Sequence, residues 1–215
     1  MTTAVVTAAA AATVTLTAGP ATAAPAQTPM GGGTAIVVGG NAACTLTTIG
    51  HDGAGRLIGI TAGHCGNPGD AVFPEFNWND TPVGTVVAKY PAIDVEVIEF
   101  DPAVVVPVNR VGGVAITGVG SPTEFPDITC KEGRTTGNTC GITWLTDSVN
   151  QETWTQICVV EGDSGAPVVA GTTLVGMINA YAEVPCLGPS VGTTMDATLA
   201  ALNAAGGPGA GFQPI

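Results

Sequence analysis

The sequence predicts an all-β protein with two β-rich halves and one C-terminal helix. Short runs rich in Val, Ile and Thr alternate with Gly, Pro and Asn/Asp turn signals along most of the chain. Only 10% of the 215 residues are charged, and 31 glycines favour tight turns over long helices. A hydrophobic content of 45% is enough to bury a sizeable core, so most of the chain is expected to fold.

The beginning of the chain has the character of a signal peptide, which we assign to residues 1–23. Ala4–Ala18 is almost entirely Ala, Val, Thr and Leu, and the small-residue run Ala21–Ala23 follows as a cleavage site. The apolar run is short for a membrane span. No Lys or Arg precedes it, although a signal peptide ordinarily begins with positive charge. We expect cleavage near Ala23 and a short disordered segment over residues 24–33.

The remaining chain is expected to form a first β-rich half over residues 34–107 and a second over residues 108–205. The clearest strand-like runs are Ala35–Val38, Leu57–Thr61, Val83–Val87, Val95–Ile98, Val104–Val106, Val114–Thr117, Pro167–Ala170 and Leu174–Ile178. Such spacing is typical of a sandwich or a pair of barrels. Thr194–Ala205 has apolar residues at helical spacing and predicts the helix. The glycine-rich end, residues 206–215, predicts a flexible tail.

Composition argues against several classes of function. The net charge is −12 with only five basic residues, so we expect neither nucleic-acid nor membrane binding. Six cysteines without a CxxC pair favour three disulfides in an oxidising compartment, but counting leaves their pairing open. The two histidines, His51 and His64, do not form an HExxH motif. We therefore expect no metal site and no cofactor.

Two short motifs carry candidate chemistry. Thr61–Cys65 places His64 at the end of an apolar run, and Gly162–Gly165 places Ser164 in a glycine-rich turn. Each alone has a structural explanation, as a strand-end histidine and as an ordinary turn. Together they indicate nucleophilic catalysis, because a serine hydroxyl needs a base to remove its proton and glycines let backbone N–H groups converge on an oxyanion.

These motifs resemble those of the chymotrypsin-like serine peptidases, particularly the secreted bacterial branch that includes alpha-lytic protease. The resemblance extends over nearly all of Thr34–Leu202 and includes the run Cys130–Gly137 leading to Cys140. It implies two six-stranded Greek-key β-barrels with the active site between them. It also implies a mechanism in which Ser164 attacks the substrate carbonyl and His64 moves the proton.

The third member of the site is less clearly marked. Family order requires an aspartate between the histidine and the serine, at the start of an apolar strand, and Asp94 fits that place. Asp80, Asp101 and Asp127 are the alternatives. Asp94 would orient the histidine, and the backbone N–H groups of Gly162 and Ser164 would form the oxyanion hole.

The resemblance further implies which residues support the site. Lys131 is expected to pair with the buried Asp163, so that activity requires no newly cut N-terminus. The implied disulfides are Cys44–Cys65, Cys130–Cys140 and Cys158–Cys186.

The substrate pocket is where the sequence departs from the family. The substrate-binding residues that the resemblance implies are Glu161, Ile178, Asn179, Ala180 and Tyr181. Cys158 stands where trypsin-like members have an aspartate, which argues against simple cleavage after Arg or Lys. Asn179 stands where the family usually has Ser. Tyr181 favours small or medium apolar side chains in the pocket, whereas Glu161 favours a basic one.

The function expected from the sequence is that of a secreted serine endopeptidase. It would act on polypeptide substrates as a monomer, either extracellularly or in association with the cell envelope. Two alternatives are a catalytically silent binding or surface protein and a non-peptidic esterase. The presence of His64, Asp94 and Ser164 together argues against the silent relative.

Overall fold

The computed structural model describes residues 1–4, 27–78 and 81–215. Its strands, in chain order, are β1 (Thr28–Met30), β2 (Ala35–Val38), β3 (Ala42–Thr45), β4 (Thr48–His51), β5 (Leu57–Ala62), β6 (Ala71–Pro74), β7 (Gly84–Tyr90), β8 (Val95–Phe100), β9 (Val105–Pro107), β10 (Arg110–Val111), β11 (Val114–Ala115), β12 (Gly118–Val119), β13 (Ile128–Gly133), β14 (Gly137–Asp147), β15 (Glu152–Thr155), β16 (Pro167–Ala170), β17 (Thr173–Met177), β18 (Ala180–Tyr181), β19 (Ser190–Thr193) and β20 (Gln213–Pro214). The α-helix, α1, spans Met195–Ala205, and short 3₁₀ turns lie at Gly63–Cys65, Glu75–Asn77 and Pro91–Ile93. The predicted signal peptide lies almost entirely outside the described residues.

The strands form two curled sheets, one in each half of the chain, which confirms the predicted all-β fold with two barrels. The first sheet has the order β20-β4-β5-β8-β7-β6-β2-β3, and the second has the order β12-β17-β16-β13-β14-β15-β19-β18. Each contains eight strands rather than the expected six, because short edge strands such as β18 and β20 join them. The predicted helix is present and begins at Thr194, whose hydroxyl caps it by accepting the N–H of Ala197.

Two segments expected to be loose contain ordered strands. Residues 24–33 were expected to be disordered, but within the described part, residues 27–33, β1 pairs in parallel with β9 and Met30 is fully buried in the first barrel. Residues 206–215 were expected to form a flexible tail, but β20 pairs with β4 and Phe212 is buried. In both cases an apolar side chain and an unpaired strand edge fix a segment whose composition indicates flexibility.

The described residues form three hydrophobic clusters. One lies inside the first barrel and one inside the second, and the third joins the barrels beneath helix α1. Strand β8 contributes to two of them, since Val95 and Val97 face the shared cluster and Ile98 and Phe100 face the first barrel. The described residues contain no helix with the length and apolar character that a membrane crossing requires.

Hydrogen bonds also cross between the barrels close to the predicted site. Thr47 Oγ1 donates to the backbone oxygen of Gly165 at 2.6 Å, and Thr193 Oγ1 donates to that of Ile93 at 2.7 Å. These contacts fix the edge of one barrel against the other where the chemistry-bearing segments meet.

Candidate active site

His64 lies between Ser164 and Asp94, within hydrogen-bond distance of both. Its Nε2 is 2.8 Å from Ser164 Oγ, and its Nδ1 is 2.8 Å from Asp94 Oδ2. A hydroxyl, an imidazole and a carboxylate in this order can pass the hydroxyl proton to the imidazole, which makes the oxygen nucleophilic. The His64 side chain is 47% exposed, so the site is open to an incoming molecule.

Asp94 is oriented by contacts on all sides. It follows the Pro91–Ile93 turn in a left-handed conformation with φ 49°, which Asp tolerates better than most residues. Its Oδ1 accepts the backbone N–H of His64 at 2.7 Å, and its Oδ2 accepts the amide of Asn179 at 2.8 Å. Burial opposes its ionisation, but the hydrogen bonds from His64 and Asn179 outweigh burial and lower the pKa of Asp94 below its usual value. Asp94 is therefore ionised at neutral pH.

The position of His64 depends on a close approach of two backbone segments. Strand β5 ends in the Gly63–Cys65 turn, and the N–H of Gly63 donates to the backbone oxygen of Asp94 at 2.8 Å. A Cβ on Gly63 would lie 2.9 Å from the carbonyl carbon of Asp94, which is too close for any side chain. The glycine before the histidine therefore allows the contact between the imidazole and the carboxylate.

Ser164 lies in a turn whose backbone is fixed on both sides. Gly162 and Gly165 have φ values of 93° and 83°, in the region that favours glycine. The N–H of Gly165 donates to the oxygen of Ile178 at 2.7 Å, and the oxygen of Ser164 accepts the N–H of Thr45 at 2.8 Å. Within the described part of the chain, the N–H groups of Gly162 and Ser164 donate to no acceptor. Both are free to bind an oxyanion.

Asp163 is fully buried and every side of its carboxylate is occupied. Oδ1 accepts the N–H groups of Thr135 and Thr136 at 2.9 and 3.1 Å. Oδ2 accepts the Thr136 hydroxyl at 2.7 Å and the N–H of Val160 at 3.1 Å. Lys131 Nζ is 3.8 Å from Oδ2 and donates to the Thr136 hydroxyl. The structure thus places Lys131 beside Asp163, with Thr136 joining the two. Burial lowers the pKa of Lys131, and the charge of Asp163 opposes this.

The alternative acids are engaged elsewhere. Asp101 accepts the N–H of the residue two positions later at 2.8 Å, and Asp127 accepts the N–H of the residue three positions earlier at 3.3 Å. Both therefore stabilise local turns. Asp80 lies outside the described residues. Of the acids that the structure describes, Asp94 is the one beside His64.

The predicted substrate-binding residues differ in burial. Ile178 is fully buried in the core of the second barrel, and the side chain of Asn179 binds Asp94. Their role in substrate binding stays a prediction. Ala180 and Tyr181 form β18, which ends the order of the second sheet. Ala180 is exposed, and Tyr181 is half-buried against the core of its barrel.

The six cysteines pair as the family resemblance implies. The disulfides are Cys44–Cys65, Cys130–Cys140 and Cys158–Cys186. The first anchors the residue after His64, and the third ties the segment before Ser164 to the loop after β18. Among residues 1–4, 27–78 and 81–215, no three His, Cys, Asp or Glu side chains cluster as metal ligands would.

Several residues of the site escaped the sequence analysis. Thr45, Thr135 and Thr136 bind backbone or carboxylate oxygens around Ser164. Arg134 forms an ion pair with Glu75 of the first barrel, and its Nε donates to Glu75 Oε1 at 2.7 Å. The signal in the sequence for Arg134, Thr135 and Thr136 is the polar run that follows Cys130.

Comparisons with known proteins agree with this architecture. No protein-family model and no curated protein matches the sequence. Among solved structures, protease A of Thermobifida fusca is 25% identical with a TM-score of 0.66, covering 82% of this chain and 97% of that one. Alpha-lytic protease homologue N4 is 26% identical with a TM-score of 0.67, covering 82% and 98%. A chymotrypsin of Cellulomonas bogoriensis is 25% identical with a TM-score of 0.65, covering 87% and 99%. The chain is therefore a structural relative of the chymotrypsin-like serine proteases of bacteria and has their two-barrel fold.

Proposed function

We propose that this chain is a serine endopeptidase that hydrolyses peptide bonds through an acyl-enzyme on Ser164. The observation that carries the proposal is the pair of 2.8 Å contacts that His64 makes with Ser164 and Asp94. The two free N–H groups of Gly162 and Ser164 lie in the same turn, where an oxyanion would form. The fold of the relatives supports a proteolytic function.

In the proposed mechanism, the hydroxyl of Ser164 attacks the carbonyl carbon of the substrate while His64 Nε2 takes its proton. The carbonyl oxygen becomes an oxyanion that accepts hydrogen bonds from Gly162 and Ser164. The C–N bond then breaks, and the imidazolium returns the proton to the leaving amine. A water molecule attacks the acyl-enzyme with His64 as base, which releases the acid and restores Ser164. Asp94 stabilises the imidazolium in both halves of the reaction.

We propose that the substrate binds as an extended strand beside β18. This strand ends the order of its sheet and leaves a backbone edge to which another chain can add. The half-buried Tyr181 supports a preference for small or medium apolar side chains. Cys158, bonded to Cys186, offers no charge to a basic side chain, whereas the exposed Glu161 does and makes basic residues the alternative.

The proposed location is outside the cytoplasm. Three disulfides persist in an oxidising compartment, and the apolar sequence of residues 4–18 fits a signal peptide. We propose that the enzyme works there as a monomer.

A fluorophosphonate probe tests the enzymatic proposal. We expect the folded, disulfide-bonded protein to be labelled on Ser164, because the probe reacts with a serine activated by an adjacent base. The Ser164→Ala and His64→Ala variants should not be labelled. Absence of labelling of the wild-type protein would favour a catalytically silent binding protein instead.

A peptide library and a set of simple esters then separate the two enzymatic functions. We expect internal cleavage of peptides with a preference at one side chain, together with turnover of simple esters, because an ester acylates the same serine more readily than an amide. Hydrolysis of esters without any peptide cleavage would identify the protein as an esterase. Mass spectrometry of the peptide products gives the specificity directly.

A further inference from the structure

All four carbonyl oxygens of the backbone from Glu161 to Ser164 accept a hydrogen bond, and the N–H of Asp163 donates to Val160 at 3.1 Å. The N–H groups of Glu161, Gly162 and Ser164 have no partner among the described residues, and the last two lie in the turn that carries Ser164. The contacts on the carbonyl side therefore determine where these two N–H groups point.

The hydroxyl of Thr135 fixes the first of these peptides. Its Oγ1 donates to the oxygen of Glu161 at 2.7 Å. In a trans peptide the C=O and the following N–H point in opposite directions. A carbonyl of Glu161 that points at Thr135 therefore directs the N–H of Gly162 to the opposite side, away from Thr135. Thr135 is itself held, because its N–H binds Asp163 and its hydroxyl accepts from Arg134 at 3.2 Å.

The hydroxyl of Thr45 fixes the next peptide from the other barrel. Its Oγ1 donates to the oxygen of Gly162 at 2.9 Å and accepts the N–H of Arg134 at 3.0 Å. The N–H of Thr45 also binds the oxygen of Ser164 at 2.8 Å. Thr45 is fully buried, so water does not compete for these bonds. Thr45, a residue of the first barrel, thus binds the carbonyl oxygens of Gly162 and Ser164, which lie on either side of the free N–H of Ser164 along the chain.

Gly162 has no side chain that could restrict the rotation of its own peptide group. Its φ of 93° excludes most side chains, and a methyl group there would collide with Thr135 and Arg134. A glycine peptide rotates easily when its hydrogen bonds are removed. The orientation of the Gly162 N–H therefore depends on the neighbouring hydroxyls.

We propose that Thr135 and Thr45 are positioning residues of the oxyanion hole, whose hydroxyls lock the peptides on either side of Gly162 so that its N–H faces the reacting carbonyl. This inference rests on the proposed peptidase function. Neither hydroxyl touches the substrate, and both act through the backbone of residues 161–164.

Valine variants test the proposal, since valine keeps the shape of threonine and lacks the hydroxyl. We expect Thr135→Val and Thr45→Val to lower kcat roughly tenfold or more. Complete loss of one oxyanion donor lowers kcat about 100- to 1,000-fold, and rotation of the peptide turns the Gly162 N–H away from the oxyanion for part of the time. KM should change by less than about threefold. Affinity for a peptide aldehyde, whose adduct places an oxyanion in the hole, should fall in parallel with kcat/KM.

Two controls separate positioning from stability. Thr135→Ser and Thr45→Ser retain the hydroxyl and should restore kcat. Thr129→Val removes another buried hydroxyl of the second barrel, one that makes no hydrogen bond with a described group, and should leave kcat unchanged. A Thr135→Val enzyme with wild-type kcat and aldehyde affinity would overturn the inference.

A crystal structure of the Thr135→Val variant tests the positioning role of Thr135 even if the protein hydrolyses no substrate. We expect the peptide between Glu161 and Gly162 to be rotated or present in two orientations. If the wild-type protein cleaves nothing, the proposed function fails, and this structure still tests the positioning claim. An unchanged orientation of the Gly162 N–H in the variant would refute it.

Discussion

Glu96 is a carboxyl group buried inside the first barrel. On β8 it faces the same side as Ile98, and it is fully buried. Neither of its oxygens makes a hydrogen bond with a described group. Burial raises the pKa of Glu96 to about 8, Lys89 opposes this, and Asp70 and Asp94 add to it. Glu96 is therefore protonated at neutral pH.

This residue predicts a stability that falls as the pH rises. Between about pH 5 and pH 8 the folded protein holds a proton on Glu96 that the unfolded chain, with a pKa of 4.5, has released. We expect a loss on the order of 4 kcal/mol in the free energy of unfolding over this range. Glu96→Gln cannot ionise, so urea unfolding should show its advantage over wild type growing with pH. Glu99→Gln, on the same strand, is the control, and parallel curves for wild type and Glu96→Gln would contradict the prediction.

At this scale the sequence indicated the reacting groups but not the threonines that support them. Ser164 and His64 stand in short local motifs, so their chemistry was predictable from neighbouring residues. The bond from Thr45 to the oxygen of Gly162 joins residues 117 positions apart. No local pattern marks such a contact, because threonine is an ordinary strand residue. The sequence shows Asn179 where the family usually has Ser, and the side-chain amide of Asn179 donates to Asp94.

At the scale of elements, the sequence analysis missed strands with polar buried faces, such as β13. Strand β13 alternates between buried and partly exposed positions, but its buried residues are Thr129, Lys131 and Gly133. Hydrophobic periodicity cannot detect this alternation. The neighbouring β14 is long, mostly partly buried and interrupted by a register shift between Thr143 and Leu145. The Val- and Ile-rich strands, in contrast, were located to within a few residues.

The final strand makes a prediction about truncation. Phe212 packs in the cluster between the barrels, and β20 pairs with β4 at the edge of the first sheet. Removing residues 211–215 should lower the free energy of unfolding by about 3 kcal/mol or more, since a buried aromatic ring is lost together with its strand pairing. Thermal or urea unfolding measures this. Removal of Ile215 alone is the control, because that side chain is 36% exposed. Equal stability of the two truncated proteins would show that β20 contributes little.

The salt bridge between Glu75 and Arg134 predicts a modest link between the barrels. Both side chains are partly exposed, at 35% and 28%. A double-mutant cycle with Glu75→Gln and Arg134→Gln should give a coupling free energy below about 1 kcal/mol that decreases in high salt. A large coupling that is insensitive to salt would contradict this expectation.

At the scale of the whole molecule, the site exists only where the barrels meet. His64 and Asp94 belong to the first barrel, and Ser164 to the second. The shared cluster beneath them combines side chains of both halves, such as Val97 and Leu174. The distance between the imidazole and the hydroxyl is therefore a property of barrel packing, which the linear motifs do not encode.

The buried carboxylate beside Ser164 leads to a prediction about activation. Asp163 already has Lys131 and Thr136 as partners, so it requires no α-amino group from a newly cut chain end. We expect a protein with a fused N-terminal tag and one beginning at Gln27 to have kcat/KM values within about twofold of each other. Lys131→Met should lower kcat/KM at least about tenfold and destabilise the fold by about 3 kcal/mol, because it leaves a buried charge without its ion pair. Arg110→Met, at an exposed position, is the control. A tagged protein that gains activity only after its tag is cut would show that the chain end, and not Lys131, completes the pairing of Asp163.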